Sequence, residues 1–205
     1  MQNVVIRAIE RLDFRTKEAY KTLRTNLSFA GKNVKVISLT SCTPNEGKTS
    51  VSFQLCLSLA ESGKQTILVD ADLRKSVLRG RYKANREKYG LSHYLSGQVE
   101  LDDACCRTNV NNFDIIFAGP VPPNPSELLG GDAFRNMLEV LRMKYDYVIV
   151  DTPPLGSVID AAIVGAICDG TVIVVESGAI SYKFVQNVKE QLNKVGCRIL
   201  GCVLN

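Results

Sequence analysis

Short runs of apolar, often β-branched residues recur along the chain, separated by longer stretches in which apolar positions return every three or four residues. The runs at 34–40, 66–70, 113–118, 147–151, 170–175 and 198–204 are mostly continuous rather than alternating. Each therefore reads as a strand covered on both faces. The stretches 50–61, 133–144 and 181–195 carry the helical period instead. Strands alternating with helices predict an α/β fold, a mostly parallel central sheet with helices on both faces in a Rossmann-like three-layer arrangement. In such a sheet a ligand sits at the carboxyl ends of the strands, so residues just past 40, 70 and 151 are where chemistry is expected.

Composition narrows the class without changing this picture. The 205 residues are 45% hydrophobic and 22% charged, which suits one globular domain spanning 1–205. A helical segment at 1–33 is expected to pack on it or flank it. No apolar run approaches the roughly 18 residues needed to span a bilayer, and the first residues do not begin a secretion signal. The expected location is cytoplasmic. The seven cysteines show no CxxC pair and read as small buried hydrophobes rather than a disulfide frame or a zinc site. A net charge of +4 allows an acidic partner but gives no reason to expect nucleic acid.

Three strand ends carry the candidate chemistry. The first run is followed by Thr40-Ser-Cys-Thr-Pro-Asn-Glu-Gly-Lys-Thr-Ser50, nearly a Walker A loop, with Cys42 where the pattern wants its first glycine. Backbone N–H groups from Asn45 to Thr49 would wrap a phosphate and the next helix would add its positive end. Lys48 would neutralise phosphate oxygens, and the Thr49 hydroxyl would ligate Mg²⁺. Asn45 is one of the few non-glycine residues that enter positive φ readily. The second run ends Val69-Asp70-Ala71-Asp72-Leu73-Arg74 and the third ends Val150-Asp151-Thr152-Pro153-Pro154. Magnesium takes a few carboxylates plus water and phosphate, so Asp70 and Asp151 are its candidate partners and Asp72 is left for another task.

These segments, together with "GLSHYLSG", "PPNPSELL" and "KEAYKTLRTNLSF", resemble nearly end to end the ATP-dependent protein-tyrosine kinases of bacterial capsule and exopolysaccharide systems, which are P-loop proteins. A partition or division-site ATPase of the same superfamily would carry a signature lysine at position 43, where this chain has Thr43. The resemblance implies a nucleotide loop of Thr43, Pro44, Asn45, Glu46, Gly47, Lys48, Thr49 and Ser50. It implies a second carboxylate motif at Asp70 and Asp72, a Walker B residue at Asp151, and ATP with Mg²⁺. It also implies regulation by a membrane-embedded activator that recruits the kinase to the inner face of the membrane, and a tyrosine-rich tail beyond residue 205.

The family's helix motif Glu-x-x-Arg-x-x-Arg reads Glu18-Ala-Tyr-Lys21-Thr-Leu-Arg24 here. A homo-oligomeric ring through this helix is expected, weakened because lysine does not reproduce a bidentate guanidinium contact. The same helix could instead pack on its own sheet through Tyr20, Leu23 and Leu27. Asp72 is the expected acceptor or orienter of the incoming phenol, with Asp70 second, and Asn205 is the candidate for reading the adenine edge. Lys48→Met and Asp151→Ala are expected to abolish transfer with the fold intact. His93, the single histidine, reads as a packed or surface side chain. The basic stretch Arg74, Lys75, Arg79, Arg81, Lys83, Arg86 and Lys88 reads as a solvated face or as a docking surface for an acidic segment. The competing function is an ATPase switch of the partition type, which hydrolyses ATP and phosphorylates nothing; a nucleotide-binding scaffold is a third.

Overall fold

The computed structural model of the chain describes residues 1–85 and 88–205. In chain order the elements are β1 (Gln2–Val4), α1 (Phe14–Phe29), β2 (Val36–Ser41), α2 (Lys48–Glu61), β3 (Thr66–Asp70), α3 (Leu78–Arg81), α4 (Leu91–Leu95) and α5 (Leu101–Ala104). They continue through β4 (Cys106–Thr108), β5 (Phe113–Ile116), α6 (Pro125–Gly130), α7 (Asp132–Lys144), β6 (Tyr147–Asp151), α8 (Asp160–Gly165), β7 (Gly170–Val175), α9 (Tyr182–Lys194) and β8 (Ile199–Leu204). The strands form one sheet in the order β1-β4-β5-β3-β6-β2-β7-β8. Every pairing is parallel except β4 with β5. The expected α/β fold is therefore present.

The period-2 geometry of the strands divides their side chains between two cores. Ile37, Leu39, Leu68 and Ile149 face a cluster closed by α2, with Leu27 of α1 among its members. Val36, Ile67, Val69, Val148 and Val150 face the opposite one, closed by Phe134, Met137, Leu138 and Leu141 of α7. A third cluster joins β7 to α8 and α9. Helix α2 is buried from Val51 to Ala60 on all sides, because α1 lies over it while the sheet lies beneath. Its buried stretch is apolar on most sides, with Ser52, Gln54 and Ser58 the polar exceptions. Its rigidity matters because its first residue is Lys48.

The segment 1–33 differs from the helical expectation at its start. Gln2–Val4 is an edge strand on β4, and only Phe14–Phe29 is helical. Asp13 caps that helix by accepting from the Thr16 N–H at 2.7 Å. Tyr20, Leu23 and Leu27 all pack into the core beside α2.

Candidate active site at the ends of three neighbouring strands

Strands β3, β6 and β2 are adjacent in the sheet. Register sets Asp70 opposite Asp151, and Asp151 opposite Leu39. Two carboxylates and the loop leaving β2 thus converge at one end of the sheet, where a doubly wound fold places its ligand.

The loop is held by its own side chains. Asn45 has φ 71° and Gly47 φ 82°, both left-handed, a conformation asparagine tolerates and glycine adopts freely. A Cβ at position 47 would lie 2.0 Å from Asn205 Nδ2, so any larger residue would have to displace that amide as well as hold a left-handed backbone. Glu46 is buried. Its carboxylate accepts from the Thr43 backbone N–H and hydroxyl and from the Glu176 N–H at 3.0 Å. Asn205 Nδ2 donates to the Glu46 carbonyl at 3.0 Å. The loop is therefore tied to the ends of both β7 and β8 before α2 begins, with its first N–H groups and dipole turned toward the loop.

Beneath it, Lys48 Nζ lies 2.7 Å from Asp151 Oδ1, with side chains 7% and 1% exposed. The Thr49 hydroxyl donates to Asp151 Oδ2 at 2.7 Å, and the Ser52 hydroxyl lies 2.9 Å from Oδ1. All of these partners project from the first turn or so of α2, so the helix delivers a cation and two hydroxyls to one carboxylate. Burial without such compensation would cost several kcal/mol per ion.

Asp70 is also buried, at 1% exposure, but no cation touches it within ion-pairing distance among the described residues. It accepts from the Ser76 hydroxyl. Burial, then the neighbouring Asp151 charge, push its carboxyl up to about 7, although Ser76 and Lys48 pull the other way. Asp72 accepts the Lys75 N–H at 2.9 Å. Arg74 forks onto Asp160, Nε to Oδ2 at 2.7 Å and Nη2 to Oδ1 at 3.1 Å. Ser126 completes this knot, its hydroxyl donating to Asp160 Oδ1 at 2.6 Å. Burial raises the Asp160 carboxyl, but the Arg74 and Ser126 bonds outweigh it and hold the group below the usual range.

A cavity of about 220 Å³ opens above these groups, lined among others by Pro44, Asn45, Glu46, Gly47, Lys48, Thr49, Asp72 and Arg74. Of the other predicted residues, Thr43 and Asn205 brace the loop through Glu46. The Ser50 hydroxyl takes a bond from Arg81, and Asp70 and Asp151 lie below. No cluster of three or more His, Cys, Asp or Glu that could hold a metal occurs among the described residues. The donors present at Thr49, Asp151 and Asp70 are nonetheless all hard oxygens. They fit a Mg²⁺ ion that completes its shell with phosphate and water, and would not fit a softer metal. Cys42, at the first-glycine position, is buried and its thiol is pushed up to about 11 by burial, so it packs rather than reacts.

Ser52, Ser76, Ser126 and Asp160 are site residues that sequence reasoning missed. Ser52 had a signal, since it stands one helical turn after Lys48 and must share its face. Ser126 lies in the PPNPSELL segment but no role could be read for it, and Asp160 had no signal, because only the tertiary fold brings α6 and α8 to Arg74. On α1, Glu18 pairs with Lys21 at 2.6 Å, and Arg24 donates to the Ser58 carbonyl at 2.7 Å. Among the described residues no helix is long and apolar enough to cross a membrane.

Comparison with known proteins places this geometry. A sequence model described as an AAA domain matches residues 34–199. The tyrosine-protein kinase CpsD of Streptococcus agalactiae is 44% identical over 191 residues, covering 93% of this chain and 83% of its own. The kinase domain of Escherichia coli tyrosine kinase ETK superposes with a TM-score of 0.89 at 34% identity, over 100% of this chain and 89% of that one. The cell division ATPase MinD of Pyrococcus furiosus shares the fold at a TM-score of 0.70 and 26% identity, over 84% and 72%. On the sequence and the superposition together, the chain belongs to the bacterial tyrosine-protein kinases.

Proposed function

We propose that this chain transfers the γ-phosphoryl group of ATP to the phenolic oxygen of a protein tyrosine, in the service of bacterial polysaccharide export. The reading rests on one observation above all: Lys48, Thr49, Asp70 and Asp151 meet at the ends of β3, β6 and β2, under a cavity whose wall includes Asp72. In the transfer the bond from the γ-phosphorus to the β,γ-bridging oxygen breaks and a bond to the tyrosine oxygen forms. ADP leaves, and the phenol proton passes to the Asp72 carboxylate. A loose transition state of this kind is accelerated mainly by positioning and charge neutralisation.

The loop amides from Asn45 to Thr49 and the α2 N-terminus hold the phosphates, and Lys48 offsets their charge. Thr49 and Asp151, with Asp70 alongside, would hold Mg²⁺, which supplies Lewis-acid neutralisation of the phosphate oxygens when bound. In the free protein Lys48 and Asp151 neutralise each other. With nucleotide and cation bound, Lys48 would turn to the phosphate and Asp151 would help hold the cation, so neither buried charge would be left bare. Asn205 retains Oδ1 for the base edge, its Nδ2 being engaged by Glu46.

The remaining parts of the proposal are the ring through Glu18 to Arg24, the membrane-embedded activator, and cytoplasmic residence at the inner face of the membrane. The partition-type switch is the second reading, supported by the shared fold, but Thr43 stands where that class carries its lysine. Asp72→Asn tests the proposal: kcat for tyrosine transfer should fall about 100-fold or more with KM for ATP little changed. Unchanged kcat would remove Asp72 from the reaction.

A further inference from the structure

A second cavity, about 830 Å³, opens beside the donor cavity and shares Val77 and Arg81 with it. Three exposed cations of the basic stretch after Asp72 stand on the walls of this cleft. Arg79, Arg81 and Lys88 line it with His93, and none of its described lining residues is acidic. Arg86 lies outside the described residues. The opposite wall is Phe117 to Pro120, leaving β5. That wall is fixed to α4 by Leu91 N–H to the Phe117 carbonyl at 2.7 Å and Ser92 N–H to the Ala118 carbonyl at 2.9 Å. A Cβ at Gly90 would lie 2.6 Å from both Gly119 N and Phe117 O, so the two backbones touch and the wall is stiff.

The cleft has a direct physical link to the reaction centre. Ser76 lines it and donates its hydroxyl to the buried Asp70. Arg81, on the shared wall, donates to Ser50 in the first turn of α2. Lys88 Nζ sits 5.0 Å from the centre of the Tyr89 ring, and that ring meets His93 edge-on at 5.6 Å. The Nδ1 of His93 accepts the Gly90 N–H at 3.2 Å, which leaves the other nitrogen as a donor in the neutral ring. Cations, aromatic faces and one imidazole donor, on a rigid and partly apolar floor, are the means by which proteins take up acidic peptide motifs.

We infer that this cleft seats the acidic residues flanking the acceptor tyrosine of a protein segment, and so presents the phenol to the donor cavity across the Val77–Arg81 rim. The inference rests on the tyrosine-kinase reading and adds the acceptor's chemical class to it. The cleft is far larger than the donor cavity and adjoins it at Val77 and Arg81, as a peptide of several residues requires and a single phosphate does not.

The test measures binding and transfer separately. Fluorescence anisotropy on the full chain, with Mg²⁺ and a non-hydrolysable ATP analogue, compares a labelled peptide of one tyrosine among glutamates with its glutamine counterpart. The glutamate peptide should bind at least about 10-fold tighter and lose that advantage at high salt. Lys88→Glu should weaken it roughly 3- to 10-fold, and Lys88→Gln by less, with ATP hydrolysis unchanged. Equal affinity for the two peptides, indifference to both Lys88 variants, or displacement of the glutamate peptide by excess free nucleotide would overturn the inference. Selective binding without any transfer would instead uphold the cleft and sink the kinase reading. Equal transfer to both peptides, indifferent to Lys88, would do the reverse.

Discussion

Asp70 is held at a cost that a single substitution should release. Its carboxyl is 1% exposed, faces Asp151 across the β3–β6 pairing, and is pushed from an ordinary 3.8 up to about 7. A tenfold change in proton affinity is worth about 1.4 kcal/mol, so the ionised group opposes folding by about 2–4 kcal/mol once the pH is above 7. Between pH 4 and 7 the folded chain holds a proton that the unfolded chain has released, so this group's contribution to stability declines as pH rises through that window and is flat above it. Asp70→Asn keeps an oxygen for the Ser76 hydroxyl and removes the charge. Urea unfolding of nucleotide-free, metal-free protein should show the variant about 2–4 kcal/mol more stable than the parent at pH 8, and nearly equal to it close to pH 4. The same variant should lose most phosphoryl transfer. A stability difference independent of pH, or a variant less stable at pH 8, would refute the argument that Asp70 is kept buried for function at the expense of the fold.

Other substitutions should cost stability. Lys48→Met should abolish transfer, but because Lys48 and Asp151 form a buried pair it should also lower stability by about 3–5 kcal/mol; thermal melting without nucleotide checks it. Gly47→Ala combines φ 82° with a Cβ 2.0 Å from Asn205 Nδ2 and should cost about 1–3 kcal/mol. In the Asn205→Ala background that cost should shrink, as a double-mutant cycle would show. Asp160→Asn breaks the fork with Arg74, whose side chain is 40% exposed, so about 1–3 kcal/mol is expected near neutral pH. Because the Asp160 carboxyl is depressed in the folded chain, its contribution is present above the unfolded value and disappears as pH falls through the folded one. Chemical denaturation at pH 7 and pH 3 should show a smaller penalty at the latter.

The central strands were legible because buried parallel strands are written as unbroken apolar runs. β3, β6 and β7 fall at 66–70, 147–151 and 170–175 as the pattern predicts. β1 and β4 were not legible, since three residues at a sheet margin carry too short a pattern to distinguish from a loop. The catalytic candidates were legible because a phosphate loop needs glycine, lysine and a hydroxyl at fixed spacing, and strand ends in a parallel sheet are forced into proximity. What the sequence hid was everything that depends on elements distant along the chain. Glu46 reads as a loop residue, yet it is buried and bonds the Glu176 backbone. Asp160 has no role that the sequence suggests, yet it anchors Arg74. The basic stretch after Asp72 left two readings open, and only the turn at α3 and the wall at 117–120, far apart in sequence, set Arg79, Arg81 and Lys88 around one cleft.

The most direct test of tyrosine transfer is incubation of the full chain with Mg²⁺ and γ-labelled ATP, in the presence of a tyrosine-containing acidic acceptor, followed by phosphoamino-acid analysis. Label should appear as phosphotyrosine, and should disappear in Asp151→Ala, which removes the carboxylate that Lys48, Thr49 and Ser52 converge upon. Release of the label only as inorganic phosphate, with none on tyrosine, would contradict the account and leave an ATPase switch on the same fold.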